Sequence, residues 1–319
     1  MELQNQTASL INKDLAGLPV DTAVLFSNHK NIYKRRVEKR QRKLLRKISF
    51  IQPFLHEGEK ILHVTTGCSP ASFIEQFLTG LIVFVLKRSL FVFTNKRIFH
   101  IPTKTNFSYR NSIAQILYGD CQRTAIKGHT LFIEYKNGQK EKFLYMANKE
   151  RKKIKSMLQT VLLQGQQSPT MQRTHLCPRC THPLIKDTFT CPGCSLEFKD
   201  KKQAKKISII YPGGGYFYTG HPFLGLADAV VELYFSLLVF IALLDVIRGV
   251  TGSVPVLVSF SVILAAEKAL TVYHSNHFIN EYIPKDKLIQ ELSQDLKSLQ
   301  TAIPPAEPKP EEILSASWR

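Results

Sequence analysis

"LFVFTNKRIFHIP", residues Leu90–Pro102, carries the reading of the fold. Leu90 to Thr94 and Arg97 to Ile101 are two runs of β-formers on either side of Asn95-Lys96, which marks a tight hairpin. The same short, strand-like pattern extends outward on both sides. "ILHVTT" precedes it from Ile61. "SIAQILYG", "CQRTAIK" and "TLFIEYK" follow, with a turn at Gly128. Asn137-Gly138, the strongest hairpin signal in the chain, leads into "QKEKFLYM". "NKERKKIKSMLQTVLLQ" then changes to helical period, with Ile154, Met157, Val161 and Leu162 on one face and Asn148 in the position of an N-cap. The prediction is about seven short antiparallel strands followed by one helix.

That element order, together with Thr94-Asn95-x-Arg97 and the apolar residues after it, resembles bacterial PH-like and GRAM-like domains over residues 61–165. The resemblance implies a small β-barrel plugged at one end by its C-terminal helix. It also implies a module that binds phosphoinositides, other anionic groups or proteins, in a group of which few members are enzymes. The sequence departs from the pattern at "PASFIEQFLTGLIVFVLKR", residues 70–88, which is too apolar for an ordinary loop. Ile74, Phe77, Leu78 and Leu81 fall on one helical face, and Leu81 to Leu86 is apolar on every side. It reads either as a segment at a membrane interface or as a long buried strand pair.

The chain of 319 residues has room for about two domains of roughly 150 residues. Its formal charge of +18 predicts attraction to polyanions, either nucleic acid or an anionic membrane face. Much of that charge lies in "KNIYKRRVEKRQRKLLRK", residues 30–47, inside a basic helical region spanning residues 1–60. Lys34, Arg35, Arg36, Lys39, Arg40, Arg42, Lys43, Arg46 and Lys47 are the candidate contacts to anionic lipid or another polyanion. The competing reading is a solvated helix face.

The strongest chemical signal is "CPRCTHPLIKDTFTCPGC". Two residues between paired cysteines let one tight turn aim both sulfurs at one ion, so Cys177, Cys180, Cys191 and Cys194 form a four-thiolate set. The spacing is that of a short zinc ribbon over residues 174–199, with Zn as cofactor in a closed, structural site. Phe189 and Phe198 are expected to supply its core, and His175 and His182 to lie at the surface. Cys68 and Cys121 are left over, which fits a reducing compartment.

"YPGGGYFYTGHP" imitates a phosphate loop, but His221 and Pro222 stand where the lysine and hydroxyl of G-x-x-x-x-G-K-[ST] are required. Phe223 to Ile247 is long enough to cross a bilayer of ~30 Å, and Val250 to Ala266 forms a second, shorter span. Tyr211, Pro212, Gly213, Gly215, Tyr218, Gly220 and Gly225 carry a resemblance to the P-G-x-G-x-x-Y-x-G element opening small bacterial membrane hairpins of the two-transmembrane domain family. It covers residues 207–276. The alternative is a pair of helices buried in a soluble domain. The N-terminal stretch has no basic region leading into an apolar core, so any membrane segment is expected to be internal. Lys199 to Lys206 before the first span predict a cytoplasmic ribbon and, after two spans, cytoplasmic termini, with the bacterial inner membrane as location.

Asp228 and Glu232 lie four apart in the first span. Intramembrane carboxylates raise ion or proton handling, against headgroup contact or pairing with Lys268 or Arg248. Residues 284–319 hold a short amphipathic helix with Leu288, Leu292, Leu296 and Leu299 on one face, which would suit self-association, and a proline-rich disordered tail. No Ser-His-Asp, kinase or zinc-hydrolase pattern appears, and a non-enzyme is expected. The leading expectation is a membrane-anchored module reading anionic lipid or a protein partner. A nucleic-acid-binding ribbon protein and a small transporter or channel subunit are the alternatives.

Overall fold

The Leu90–Pro102 stretch folds as the hairpin its sequence predicts. β2 (Arg88–Thr94) and β3 (Arg97–Pro102) pair antiparallel, with Phe93 opposite Ile98 and Leu90 opposite Ile101. This computed structural model describes residues 17–71, 76, 82–160 and 165–285. β1 (Ile61–Cys68) flanks β2, β4 (Ile113–Leu117) flanks β3, and β8 (Thr174–Leu176) flanks β4, giving an antiparallel sheet in the order β1-β2-β3-β4-β8. A single turn at Tyr118–Asp120 leads into a second antiparallel sheet of β5 (Cys121–Lys127), β6 (Thr130–Tyr135) and β7 (Lys140–Phe143). Gly128 and Gly138 take the turns between these strands with φ of 57° and 84°, a region open to glycine at little cost.

The sheets meet at a bridge between Cys68 and Leu144, whose two backbone hydrogen bonds measure 2.8 and 3.1 Å. They remain two sheets and do not close into one barrel among the described residues. β3 is buried along its whole length, because the first sheet is covered on both faces. On one side lie Leu18, Leu25, Leu45, Ile48, Ile51 and Phe54, packed on Ile61, Val64, Leu90, Val92, Phe99 and Ile101. On the other, Phe91, Phe93, Ile98 and Ile116 meet Leu131, Ile133 and Phe143 of the second sheet. β6 alternates buried and half-buried residues, the signature of a strand with one wet face.

The basic region is one of these layers. α1 (Arg35–Leu45) is fastened to β1 by Gln41, which donates to the Val64 carbonyl at 2.9 Å and accepts from its amide at 3.1 Å. α2 (Arg151–Thr160) starts three residues after the expected cap at Asn148, and Ile154, Met157 and Leu158 close the core between the sheets. Val161 and Leu162 lie outside the described residues, as does most of the 70–88 segment. Within that segment Ile82–Leu86 is helical, and the Phe84 ring lies 4.1 Å from that of Tyr145. The polar stretch after α2 is tied down: Asp120 accepts from the Ser168 amide and hydroxyl, each at 2.7 Å.

Among the described residues four helices follow the cysteine segment. α3 (Lys201–Ile210) is capped by Asp200, which accepts from the Gln203 amide at 2.8 Å. α4 (Gly214–Tyr218) is short, and α5 (Pro222–Ile247) and α6 (Ser253–Ile279) form an antiparallel pair. Both long helices are apolar enough to cross a membrane, and only 11% and 6% of their most apolar windows are buried. A core helix of a soluble protein would be mostly buried, and these two are not. α5 matches its predicted span. α6 runs past the predicted end at Ala266, because Glu267 and Lys268 interrupt the hydropathy but not the helical backbone. The residues up to Pro284 cluster as one unit. The leucine seam at Leu288 to Leu299 lies outside the described residues.

Candidate metal centre

Each Cys-x-x-Cys pair sits on a tight turn of the same build. The Thr181 amide donates to the Cys177 carbonyl at 3.0 Å, and the Ser195 amide to the Cys191 carbonyl at 2.9 Å. To close these turns Thr181 and Ser195 take φ of 60° and 56°, the left-handed region that favours glycine. The two turns bring the four Sγ atoms within 4.8 Å of one another. Cys177 and Cys194, and Cys180 and Cys191, are each 3.5 Å apart. A tetrahedral ion with ~2.3 Å bonds sets sulfur–sulfur edges of roughly 3.8 Å, so the cluster accepts a metal with only a small expansion. The Gly193 amide points at Cys191 Sγ from 3.4 Å, as a thiolate requires. The four cysteines predicted from spacing are therefore together, and an ion held by all four would have no ligand position left for a substrate.

The segment around this centre is bonded on both sides. β8 pairs with β4, setting His175 opposite Ala114. At the other end Phe198 bridges Pro284, and the Lys199 amide donates to the Ile283 carbonyl at 2.9 Å. Tyr282, from the chain leaving α6, completes the small core. Its ring lies 5.7 Å from Phe198 and 6.2 Å from Phe189, and its hydroxyl donates to the Ile185 carbonyl at 2.8 Å. The sequence named the two phenylalanines but not Tyr282, which is separated from them by the whole helical hairpin. His182 is exposed as expected. His175 is not: it packs against Tyr282 and lies 3.5 Å from Glu281. Burial alone would push the Glu281 carboxyl up, but the His175 hydrogen bond and the Arg173 charge hold it well below the usual carboxylate range.

The remaining thiols are inert by the same physics. Burial pushes Cys68 up to about 11 and Cys121 up to about 12, so neither supplies a thiolate at neutral pH.

The predicted basic residues divide into two groups. Lys34, Arg35, Arg36, Lys39, Lys43 and Arg46 are exposed, next to the exposed Ile32 and Tyr33. Arg40 pairs with the buried Glu150, which also lies 3.0 Å from His63. Arg42 pairs with Glu38 at 2.8 Å and lies over the Phe26 ring. Lys47 donates to the Asn106 carbonyl at 2.5 Å. These three are engaged in the fold.

In the hairpin, Asp228 accepts from the Thr271 hydroxyl at 3.0 Å. Glu232, 1% exposed, accepts from Lys268 Nζ at 2.6 Å and from the Gly213 amide at 3.1 Å. Glu267 joins them, so that carboxylate oxygens of all three lie within 4.8 Å. Sequence reasoning anticipated Lys268 as a partner and missed Glu267. The available signal was the Glu267-Lys268 pair itself, charged in an otherwise apolar helix. The glycines of the false phosphate loop allow this packing. A Cβ on Gly213 would lie 2.0 Å from the Gly225 carbonyl oxygen, and one on Gly215 2.1 Å from Ser275 Oγ.

Comparison with protein-family models, with curated proteins and with solved structures finds no match to this chain.

Proposed function

We propose that the protein is a non-catalytic, membrane-anchored module: α5 and α6 cross the bilayer, and a PH-like two-sheet domain with its basic helix engages anionic lipid. The observation that carries this reading is the double attachment of the cysteine segment. Its backbone bonds to β4 on one side and to the chain leaving α6 on the other, so the sheets are held at a fixed place beside the hairpin. The metal is zinc, for which four thiolates in a closed site are suited, and its part is to keep that joint folded. The PH-like reading is supported by the seven antiparallel strands β1 to β7 shared between two sheets, the bridge at Cys68–Leu144, and α2 over the core between them. Lysines ahead of the first span favour a cytoplasmic side for the sheets and the metal centre, in keeping with a bacterial inner membrane.

Two experiments test it. Alkaline carbonate extraction should leave the full-length protein in the membrane pellet, and release into the supernatant would refute the anchor. The full chain held in nanodiscs should capture vesicles containing phosphatidylglycerol at low salt and ignore phosphatidylcholine vesicles. Changing Lys34, Arg35, Arg36, Lys39, Lys43 and Arg46 to Gln should abolish capture; unchanged capture would remove the basic helix from the reading. Glu267, standing beside Asp228 and Glu232, favours cation handling as a second reading. Cation flux in proteoliposomes that persists after Asp228→Asn, Glu232→Gln and Glu267→Gln would dismiss it.

A further inference from the structure

α3 and α4 do not simply lead into the hairpin; they run alongside it. The chain starts α3 at the end of α6, where the Lys199 amide meets the Ile283 carbonyl. It then passes antiparallel to α6 until Lys268 Nζ contacts the carbonyls of Ser208, at 3.0 Å, and Tyr211, at 3.4 Å. It turns at Pro212-Gly213, where the Gly213 amide reaches Glu232, and α4 brings it back. His221 stacks on Phe278 at 4.0 Å, and α5 begins beside it. The tip of this excursion, Tyr211 to Gly213, therefore stands level with Glu232 and Lys268, well inside the hairpin from its His221 end.

Bilayer thickness then fixes where that tip lies. From Leu233 to Ile247, α5 rises only about 22 Å at ~1.5 Å per residue, and Ser253 to Glu267 of α6 rises the same distance. A hydrocarbon core needs ~30 Å. The missing length, roughly 8 Å, has to come from the part of the hairpin that α3 and α4 flank, and tilt would draw in still more. The outer surface of α3 is suited to that position. Ile209, Ile210 and Tyr211 at its deep end are 54%, 55% and 61% exposed. Lys202, Lys205 and Lys206, one to two turns back toward the metal centre, are exposed on the same helix. Its inner residues Ala204 and Ser208 are buried.

We propose that α3 and α4 form a re-entrant pair in the leaflet on the metal-centre side, with Ile209, Ile210 and Tyr211 among the acyl chains and Lys202, Lys205 and Lys206 on the phosphates of anionic phospholipid. This rests on the reading of α5–α6 as a membrane-spanning hairpin. Lysine stems extending to headgroups above an apolar helix end is the arrangement expected of a half-inserted helix.

The test uses full-length protein carrying Trp318→Phe, which removes the one native tryptophan, reconstituted in nanodiscs. Single tryptophans are placed at Ile210, at Leu237 as a hairpin control, and at Ile185 as a control beside the metal centre. Brominated lipid should quench Ile210→Trp and Leu237→Trp and leave Ile185→Trp open to aqueous acrylamide. Quenching at 237 with position 210 as open to acrylamide as 185 overturns the inference and leaves the hairpin standing. No quenching at 237 removes the hairpin and this inference with it. At equal mole fraction, brominated phosphatidylglycerol should quench Ile210→Trp at least about twofold more than brominated phosphatidylcholine, since each basic residue near the surface favours anionic lipid. Adding Lys202→Gln, Lys205→Gln and Lys206→Gln should bring the two lipids to parity. Parity with the lysines present overturns the headgroup contact.

Discussion

Arg97 holds Glu59 through two nitrogens, Nε donating to Oε1 at 3.0 Å and Nη2 to Oε2 at 2.7 Å, with both side chains withdrawn from solvent. The rest of the hairpin turn serves the same joint. Thr94 Oγ1 donates to Glu59 at 2.7 Å and accepts the amides of Lys96 and Arg97. Asn95 accepts from the Lys60 amide at 2.9 Å and donates to the Gly58 carbonyl at 3.1 Å. Arg97 Nη2 also donates to the Phe54 carbonyl at 2.6 Å, and Nη1 to Gln115. The Thr-Asn-x-Arg residues thus lock the β2–β3 turn onto the segment that enters β1.

Removing one partner leaves the other charge buried. Glu59→Ala should therefore cost about 3–5 kcal/mol in denaturant or thermal unfolding. The double change Glu59→Leu with Arg97→Met should recover most of that loss. A single-variant loss under about 1 kcal/mol would contradict the buried pairing.

The pair also has a pH signature. Burial would raise the Glu59 carboxyl, but its bonds to Arg97, the His56 amide and Thr94 outweigh this and hold it below its ordinary value. A folded-state value below the unfolded one gives stability that is full above the unfolded value, about 4.3, and is lost as pH falls through the folded value. Glu59→Gln should flatten the acid limb of a stability-versus-pH curve relative to the native chain. An unchanged limb would remove Glu59 from the acid response.

The four-cysteine centre should hold one zinc per chain by elemental analysis, and Cys177→Ser or a strong chelator should unfold the joint it supports. Retained stability in metal-free protein would show that the segment folds without the ion. At Thr181 the turn imposes φ of 60° on a β-branched residue. Thr181→Gly should accordingly raise stability by about 1 kcal/mol with metal content unchanged.

In the hairpin, Lys268→Met would leave Glu232 buried beside two further carboxylates without its cation. The thermal midpoint of the detergent-solubilised protein should fall, and adding Glu232→Gln should restore part of it. A midpoint that ignores Lys268→Met would mean the ion pair is not formed.

Gly215→Ala places a Cβ 2.1 Å from Ser275 Oγ and 2.2 Å from Ser208 Oγ. Overpacking of this kind costs about 1–3 kcal/mol or more. Adding Ser208→Ala and Ser275→Ala, which removes both clashing hydroxyl oxygens and leaves Thr271 Cγ2 at 3.1 Å as the next neighbour, should relieve most of the defect. Normal expression and stability of Gly215→Ala would contradict the close approach of α4 to α6.

Local signals were enough for much of this protein. The Asn95-Lys96 and Asn137-Gly138 turns, the period of α2, the start and end of α5 and the four-cysteine set all depend on neighbours within a few residues, and the sequence displays such neighbours directly. The polar stretch between α2 and the cysteines shows the limit. Its polar composition is real, yet Ser168 is fixed to Asp120, 48 residues away, and composition holds no record of such a partner.

What the sequence by itself determined is therefore the element order, the four-cysteine set and the two apolar spans, because spacing and hydropathy are properties of contiguous chain. Only the tertiary structure decided the rest. It separated the nine basic candidates into exposed residues and residues spent on Glu150, Glu38 and the Asn106 carbonyl. It brought Glu267 to Asp228 and Glu232, gave Tyr282 to the core beside the metal centre, and laid α3 along α6. Each of these joins residues far apart in the chain. They are set by how buried faces and backbone hydrogen bonds are shared between elements, and that sharing exists only once the chain has folded.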